Sequence, residues 1–403
     1  MNKDEIWLVA VTAGRWQHKG IREAQAAGLK VFAIDADPNA EGFFGADKFL
    51  NIELGDHENI IFALRTANIN IKGAVSFASD AGMVLAARIR EEFNLNGPNI
   101  DLTHRLIDKR IQREVWTKKG VCSPKWLVFN TVEAAVREIS SFGFPLIIKP
   151  TDSSGSRGVA KIESLHDDVL AAVTCAFEFS KSGNILIEEF MDGTEFTVEI
   201  FVNKGDIHIL AVTEKKKVDG TRGTVARELA TPERPQEVIK GIVDVVVAGF
   251  KALGYTDGPG HAEVILKNDG SFGLVEVAGR GGGFMVFDEF VPQVSGVNIA
   301  RFTALQAAGI PLDAINILNK SAVLRFFPST PGVVSSISGF DEANLIHGVQ
   351  AASFVQVGHR QHRALTDGDR LGYILSCSNT PQQAQRLADK AEKLIKFHIE
   401  EFV

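Results

Sequence analysis

A chain of 403 residues, 45% hydrophobic and 23% charged with 37 glycines, has the composition of a folded protein with two or three domains and well-buried cores. Its net charge of −7 argues against broad electrostatic attachment to nucleic acid or anionic membrane. No segment reaches the ~18 apolar residues of a membrane span, and MNKDEIWLVAV is too short an apolar run for a signal peptide, so a cytoplasmic protein is expected. Cys122, Cys175 and Cys377 are an odd count without metal-ligand spacing; reduced, buried thiols are expected.

Residues 1–112 alternate between strand and helix. An apolar strand at 6–12 is followed by a helix at 16–27 closed by Gly28, a strand at 31–35, a helix at 59–68, a strand at 74–77 and a helix at 81–93. That order predicts a parallel sheet with helices on both faces. The first strand-to-helix turn, Thr12-Ala13-Gly14-Arg15, lacks the G-x-G-x-x-G spacing of a dinucleotide site, although Asp35 ends the second strand as a ribose-binding acid would.

From about residue 113 the pattern changes. The apolar run 144–149 ends in Lys149 before Pro150, and an ammonium at the end of a buried strand needs an anion or an exit to water. Ser153-Ser154-Gly155-Ser156-Arg157-Gly158 follows as a loop whose backbone N–H groups can cradle phosphate, or which is simply a turn. A strand at 159–162, a helix at 167–180 and a strand at 185–188 lead into Glu188-Glu189-Phe190-Met191 and on to Glu195. Acids there can accept from an adenine amino group or a ribose hydroxyl, and Phe190 with Met191 offers an apolar slot; an ordinary strand end is the plainer alternative. Strands are expected at 197–203 and 208–213, with Glu214-Lys215-Lys216-Lys217 as a solvated turn, then a helix at 237–253.

Residues 262–267 and 272–277 are apolar, β-branched runs separated by Asn268-Asp269-Gly270-Ser271, a hairpin signal. A two-residue Asp269-Gly270 turn sets Glu263 directly across from Glu276, with Cβ atoms roughly 4.5–5.5 Å apart, where like charges repel. Something positive belongs between them, and Mg²⁺ is commonly held by one or two carboxylates together with substrate phosphates. Arg280 and Gly281-Gly282-Gly283 come next, adding a fixed cation and backbone that can approach a ligand closely. A helix is expected at 297–308 and strands at 320–327, 351–357 and 372–376. The last helix, opened by Thr380 and Pro381, has a stripe of Ala384, Leu387, Ala391, Leu394 and Ile395. His359 and His362, three apart on a strand, face opposite sides and make no metal pair.

In this order Lys109 in IDKR, Lys149 in IIKP, the loop 153–158, EEFMDGTE and the pair Glu263 with Glu276 ahead of Arg280 resemble the ATP-grasp superfamily. GDRLGYILSCSNTPQQAQRLADKA resembles the C-terminal piece of its biotin-carboxylase and carbamoyl-phosphate-synthase-like branch. His261 in a G-x-x-H-x-E arrangement, with GGGFMVFDEFVPQVSGVN, is most similar to the amino-acid (dipeptide) ligases.

The resemblance implies a Rossmann-like pre-ATP-grasp domain at 1–112, a two-lobed α+β ATP-grasp domain at 113–310 and a C-terminal α+β piece at 311–403. ATP would lie between the lobes. Lys109 and Lys149 would touch its phosphates, and Ser153, Ser154, Gly155, Ser156 and Gly158 would close over them. Glu188, Glu189, Phe190 and Met191 would line the adenine slot, and Glu195 would hold the ribose. Glu263 and Glu276 would hold Mg²⁺ (or Mn²⁺), while Arg280 would stabilise the transferred phosphoryl group, with Lys149 and Arg280 as the catalytic pair. His261, Arg280, Gly282 and Gly283 would meet substrate. Ala278 stands where the family commonly has Asn, which removes one oxygen ligand and opens the number of metal ions. The implied activity is ADP-forming ligation of a small carboxylate to an amine through an acyl phosphate, in a protein for which a homodimer is compatible. Two alternatives stand beside it: carboxylation through carboxyphosphate, and a nucleotide-binding module without catalysis, suggested by Ala278 alone.

Overall fold

Residues 5–218, 225–362 and 367–401 are described by the computed structural model of the chain. Strands β1 (Trp7–Val11), β2 (Lys30–Asp35), β3 (Lys48–Asn51) and β4 (Ile71–Val75) form an all-parallel sheet in the order β3-β2-β1-β4. Strand β1 is apolar throughout because both of its faces are covered. Leu8 and Ala10 pack with Ile21 and Ala24 of α1 (Arg15–Ala26); Trp7, Val9 and Val11 pack with residues of α2 (His57–Thr66) and α3 (Met83–Glu92). Asp35 accepts from the backbone N–H groups of Ala13 and Asp37, at 2.6 and 2.9 Å, so its carboxylate ties down the first strand-to-helix turn.

Two helices lead out of this layer, α4 (Ile100–Ile107) and α5 (Lys109–Lys119). Between them Asp108 caps α5 by accepting from the N–H groups of Arg110 and Ile111. The inward stripe of α5 is Lys109, Gln112, Arg113 and Trp116, spaced as an amphipathic helix requires but polar at three of four positions. A second sheet follows, made of β5 (Trp126–Phe129), β6 (Leu146–Pro150), β7 (Ala160–Ile162) and β8 (Ile185–Glu189). It is antiparallel in the order β5-β8-β6-β7 and packs on α6 (Val132–Phe142) and α7 (Val169–Glu178).

The remaining strands are β9 (Gly193–Asn203), β10 (Asp206–Lys217), β11 (Ala226–Ala230), β12 (Gly258–Lys267), β13 (Phe272–Ala278), β14 (Ser321–Phe327), β15 (Gly332–Ser338), β16 (Val349–Ser353), β17 (Arg360–Gln361), β18 (Gly372–Ser378) and β19 (Lys396–Glu400). Eight of them make one antiparallel sheet, β13-β12-β9-β10-β11-β14-β18-β16, and β17-β15-β19 makes a small one. Helix α8 (Gln236–Leu253) covers one face of the large sheet, placing Ile242, Val246 and Phe250 against Phe196, Val198, Ile200, Ala262 and Val264. Helices α9 (Val291–Ser295) and α10 (Ile299–Ala307) join the sheet to the N-terminal layer, since α10 packs on α1 and β4. After the short α11 (Phe340–Asn344), α12 (Pro381–Leu394) closes the C-terminal core beneath β14 and β18.

Several expectations are corrected. Residues 214–217 are not a turn; they continue β10, because Lys215 and Lys217 find a carboxylate partner on the neighbouring strand. Cys122 and Cys175 are exposed and Cys377 is half-buried, all as free thiols. The buried stripe of α12 is Ala384, Ala388 and Ala391, and Leu394 is 40% exposed. No helix among the described residues is long and apolar enough to cross a membrane.

Candidate functional site

A cavity of about 990 Å³ opens between the two antiparallel sheets and the C-terminal end of the parallel one. The residues to which the sequence assigned a nucleotide, metal or substrate role all line it except Gly158 and Gly282; Ala278 and Gly281 are also outside the lining. Alternation along Thr194-Glu195-Phe196-Thr197-Val198-Glu199 explains its polar floor. Phe196 and Val198 point to α8, so Glu195, Thr197 and Glu199 point to the cavity side. Cross-strand pairing extends this face: Glu276, Glu263 and Thr197 lie in one row, and Ala278, His261 and Glu199 in the next.

Glu263 and Glu276 face each other as expected, by a different route. The hairpin loop has three residues, with Ser271 accepting from Lys267 N–H and Gly270 at φ +82°. Such a loop alone would put Glu263 opposite Val275. A β-bulge at Val275 then shifts the register back and brings Glu276 across. Helix α5 secures this edge strand: Arg113 Nη2 donates to Val275 O, while Gln112 donates to Val277 O and accepts from Val277 N–H.

The charge of the pair is balanced by lysines. Lys109 Nζ lies 3.0 Å from Glu276 and donates to Ser153 O at 2.7 Å; Lys215 Nζ lies 3.2 Å from Glu263 and 2.6 Å from Glu195. Burial lowers the Lys109 ammonium, yet Glu276, Asp80 and Glu263 outweigh it and its pKa stands above the ordinary lysine value. Burial would raise the Glu263 carboxyl, but Lys215 and His261 hold it well below the glutamate range. His261 Nδ1 is hydrogen-bonded to the fully buried Glu199, and its Nε2 lies 3.9 Å from Glu263. Burial opposes its charge, but these two carboxylates raise its pKa to about 10, so the ring is cationic at neutral pH. Among the described residues no three His, Cys, Asp or Glu side chains gather to enclose an ion. Two facing carboxylates beside an open cavity fit a hard divalent cation that completes its shell with phosphate and water.

Lys149, predicted to need an anion, has one in Glu188 on the adjacent strand at 2.7 Å. The other Glu188 oxygen accepts from Arg113 Nε at 2.7 Å. Burial raises the Glu188 carboxyl, but the two cations outweigh it and hold it below the glutamate range; burial pulls the Lys149 ammonium down despite Glu188. Beside this triad Lys161 Nζ sits 3.8 Å over the Phe190 ring, and Met191 packs against Gly273. Glu195 holds Lys215 and Lys217. In the loop 153–158, Gly155, Ser156 and Gly158 all have positive φ. The Ser154 hydroxyl bonds to Asp80, and Arg157 Nε donates to Ser154 O.

Arg280 is held by a bidentate pair with Asp80 at 2.8 and 2.9 Å, a bond between the end of β13 and the N-terminal layer. Burial raises the Asp80 carboxyl, but Arg280, Lys109 and Ser154 more than offset this. After Arg280 the chain turns tightly. A Cβ on Gly281 would lie 1.9 Å from Phe287 Cδ2, and one on Gly282 would lie 2.8 Å from a Glu199 oxygen that also faces His261. Phe284 and Met285 then adopt φ of +51° and +72°, strained for such side chains. Gly281→Ala is therefore expected to destabilise the protein by about 1–3 kcal/mol or more, from overpacking. Gly283→Ala, whose Cβ meets nothing within 4 Å, is expected to leave the calorimetric midpoint unchanged.

The end of the cavity away from Lys149 is aromatic. Trp16 stands 5.1 Å from Phe284, and the Arg370 guanidinium lies 3.8 Å over Phe326 and 5.0 Å over Phe284. Sequence reasoning missed Asp80, Glu199, Arg113, Lys215 and this aromatic end. Only Glu199 had a readable signal, as the third polar residue of the period-2 run Glu195, Thr197, Glu199.

Residues 142–288 match the family described as the ATP-grasp domain, and residues 325–400 match L-amino acid ligase C-terminal domain 2. An uncharacterized protein of Sinorhizobium fredii is 26% identical over 97% of this chain and 82% of its own length. Phosphoribosylamine–glycine ligase of Neisseria meningitidis is 24% identical over 97% of this chain and 96% of its own. The crystal structure of an L-amino acid ligase from Bacillus licheniformis superposes with a TM-score of 0.83 at 20% identity, covering 100% of both chains, which shows a shared fold.

Proposed function

We propose, from the premise that this chain is an ATP-grasp enzyme, that it ligates a small carboxylate, an amino acid or another small metabolite, to an amine with release of ADP and phosphate. The observation that carries this reading is the convergence of Glu263, Glu276, Lys109, Lys149 and Arg280 on one cavity of about 990 Å³. Phosphoryl transfer asks a protein mainly for positioning and for fixed cations, and this set supplies both.

In this reading the triphosphate lies along Lys109 and Lys149 under the loop 153–158, and Glu263 with Glu276 takes Mg²⁺ (or Mn²⁺). When bound, the ion supplies charge neutralisation at the phosphates. Glu189, Phe190 and Met191 line the adenine slot, while Glu188, with both oxygens engaged, positions Lys149 beside it. Glu195 exchanges lysine for ribose hydroxyls. A substrate carboxylate oxygen attacks the γ-phosphorus, the bond to ADP breaks, and Arg280, oriented by Asp80, stabilises the transferred phosphoryl group. An amine nitrogen then attacks the acyl carbon, phosphate leaves and the amine loses a proton. Glu199 favours the cationic form of His261, which in this reading donates a hydrogen bond to substrate. Backbone at Gly282 and Gly283 allows close approach beside it.

The test is a product analysis with pooled carboxylic acids and amines. ADP and phosphate in a one-to-one ratio with new amide are expected. AMP with pyrophosphate, or turnover that needs bicarbonate instead of an amine, would overturn this assignment.

A further inference from the structure

A second cavity, of about 580 Å³, lies at the seam between the parallel sheet and the large antiparallel one, and none of its lining residues also lines the first. Its wall contains Arg90 of α3, 8% exposed in the whole residue. Arg90 Nε donates to Pro98 O at 2.9 Å and Nη1 to Ala74 O at 2.8 Å, while Nη2 has no hydrogen bond and no carboxylate lies within ion-pairing distance among the described residues. A buried guanidinium without a counter-anion is costly, and a ligand anion would repay it. Burial accordingly lowers its pKa to about 10.

Other parts of the wall narrow the ligand. Met83, Pro259, Ile310 and Leu312 give it an apolar side. Asp257 supplies one negative charge; its Oδ1 accepts from Lys204 N–H and from Gln306, and its Oδ2 has no partner among the described residues. The charged lining residues, Arg90, Lys204 and Asp257, sum to one positive charge, which suits a monoanion better than polyanions such as nucleotides. The volume is within the ordinary range for a small-molecule site.

The same wall backs the catalytic arginine. Gly279 lines the second cavity, and the next residue is Arg280; Ser76 and Met83 line it on either side of the turn that carries Asp80. A Cβ on Gly279 would lie 2.6 Å from Leu106 Cδ1, so the backbone there has no slack. Displacement on one side must be taken up on the other. We infer that the seam cavity is a second ligand site, for a small, apolar-bodied monocarboxylate held by Arg90, and that its occupancy is felt at the Asp80–Arg280 pair.

Calorimetric titration of the full chain with 4-methylpentanoate, and with the neutral 4-methylpentanamide, tests this. One site per chain is expected for the acid, with the amide weaker by about tenfold or more, the worth of a charge-assisted pair. Arg90→Gln is expected to erase that preference. Because loss of Arg90 can disturb α3, Ala307→Met serves as the second variant: it narrows this cavity from the end of α10 and should abolish binding. The acid should also alter turnover of the wild type but not of Ala307→Met. Absence of saturable binding, equal binding of acid and amide, binding that survives Ala307→Met, or a bound acid that leaves wild-type turnover untouched would overturn the inference. The binding arm needs no turnover, so it is decided separately from the proposed ligase activity.

Discussion

Glu276→Gln is expected to lower turnover by about a thousandfold, several kcal/mol of activation free energy, while the protein stays folded. The amide keeps the shape of the side chain and its place across from Glu263, but it loses the charge that Lys109 uses and that the proposed divalent cation would use. Glu263→Gln should be milder, because two cations, Lys215 and His261, already offset the Glu263 charge. The check is the Mg²⁺ dependence of ADP formation, with calorimetry to show that the fold is retained. Near-normal turnover of Glu276→Gln at limiting Mg²⁺ would remove the hairpin from the site.

Glu188→Gln should act on stability, by about 3–5 kcal/mol, the usual cost of removing one partner from a buried ion pair. Lys149 and Arg113 both pair with this carboxylate, which is 3% exposed; they are 5% and 0% exposed, so removing its charge leaves two buried cations without their partner. The effect carries a pH signature. Burial favours the neutral acid, but Arg113 and Lys149 win and hold the carboxyl below the ordinary glutamate value. Its contribution is therefore fully present above about pH 4.3, and it is lost as pH falls through the lowered value. Urea unfolding of wild type and variant should differ most near neutrality and converge in acid. A constant difference down to the acid limit would mean that Glu188 stabilises by shape and not by charge.

How much of this could be read in the sequence depended on whether apolar periodicity marked it. Strand β1 was legible because burial on both faces makes it apolar throughout, and α8 because a wide apolar stripe faces the sheet. Helix α5 was not, since its inward positions carry Lys109, Gln112, Arg113 and Trp116, and periodicity in hydrophobicity cannot report a polar stripe. Strand β19 alternates between half-buried and exposed positions and β15 is buried only at Gly332 and Val334, too weak a pattern to stand out. The candidate site followed the same division. Lys109, Lys149, Glu263, Glu276 and Arg280 were visible as an ordered set that resembles a known family. Their partners were invisible: Asp80 lies 200 residues from Arg280 and Glu199 lies 62 from His261, distances at which only the folded chain brings charges together. Lys215 was read as solvated because three consecutive lysines usually are; the carboxylates of β9 and β12 pull it inward.

The three-residue loop of the β12–β13 hairpin and the bulge at Val275 work as a vernier. Each displaces the ladder by one step, and the second undoes the first. A two-residue Asp269-Gly270 loop in a chain of the same length would pair Glu263 with Glu276 along an unbroken ladder, with no bulge. Such a chain would lose the bulged carbonyl on which Arg113 docks, and with it the brace between the Glu263–Glu276 pair and the Glu188–Lys149 pair on the other sheet. The bulged residue thus links two sheets that share no strand, and in the proposed reading the register of this hairpin becomes a dial on the gap that a triphosphate would span.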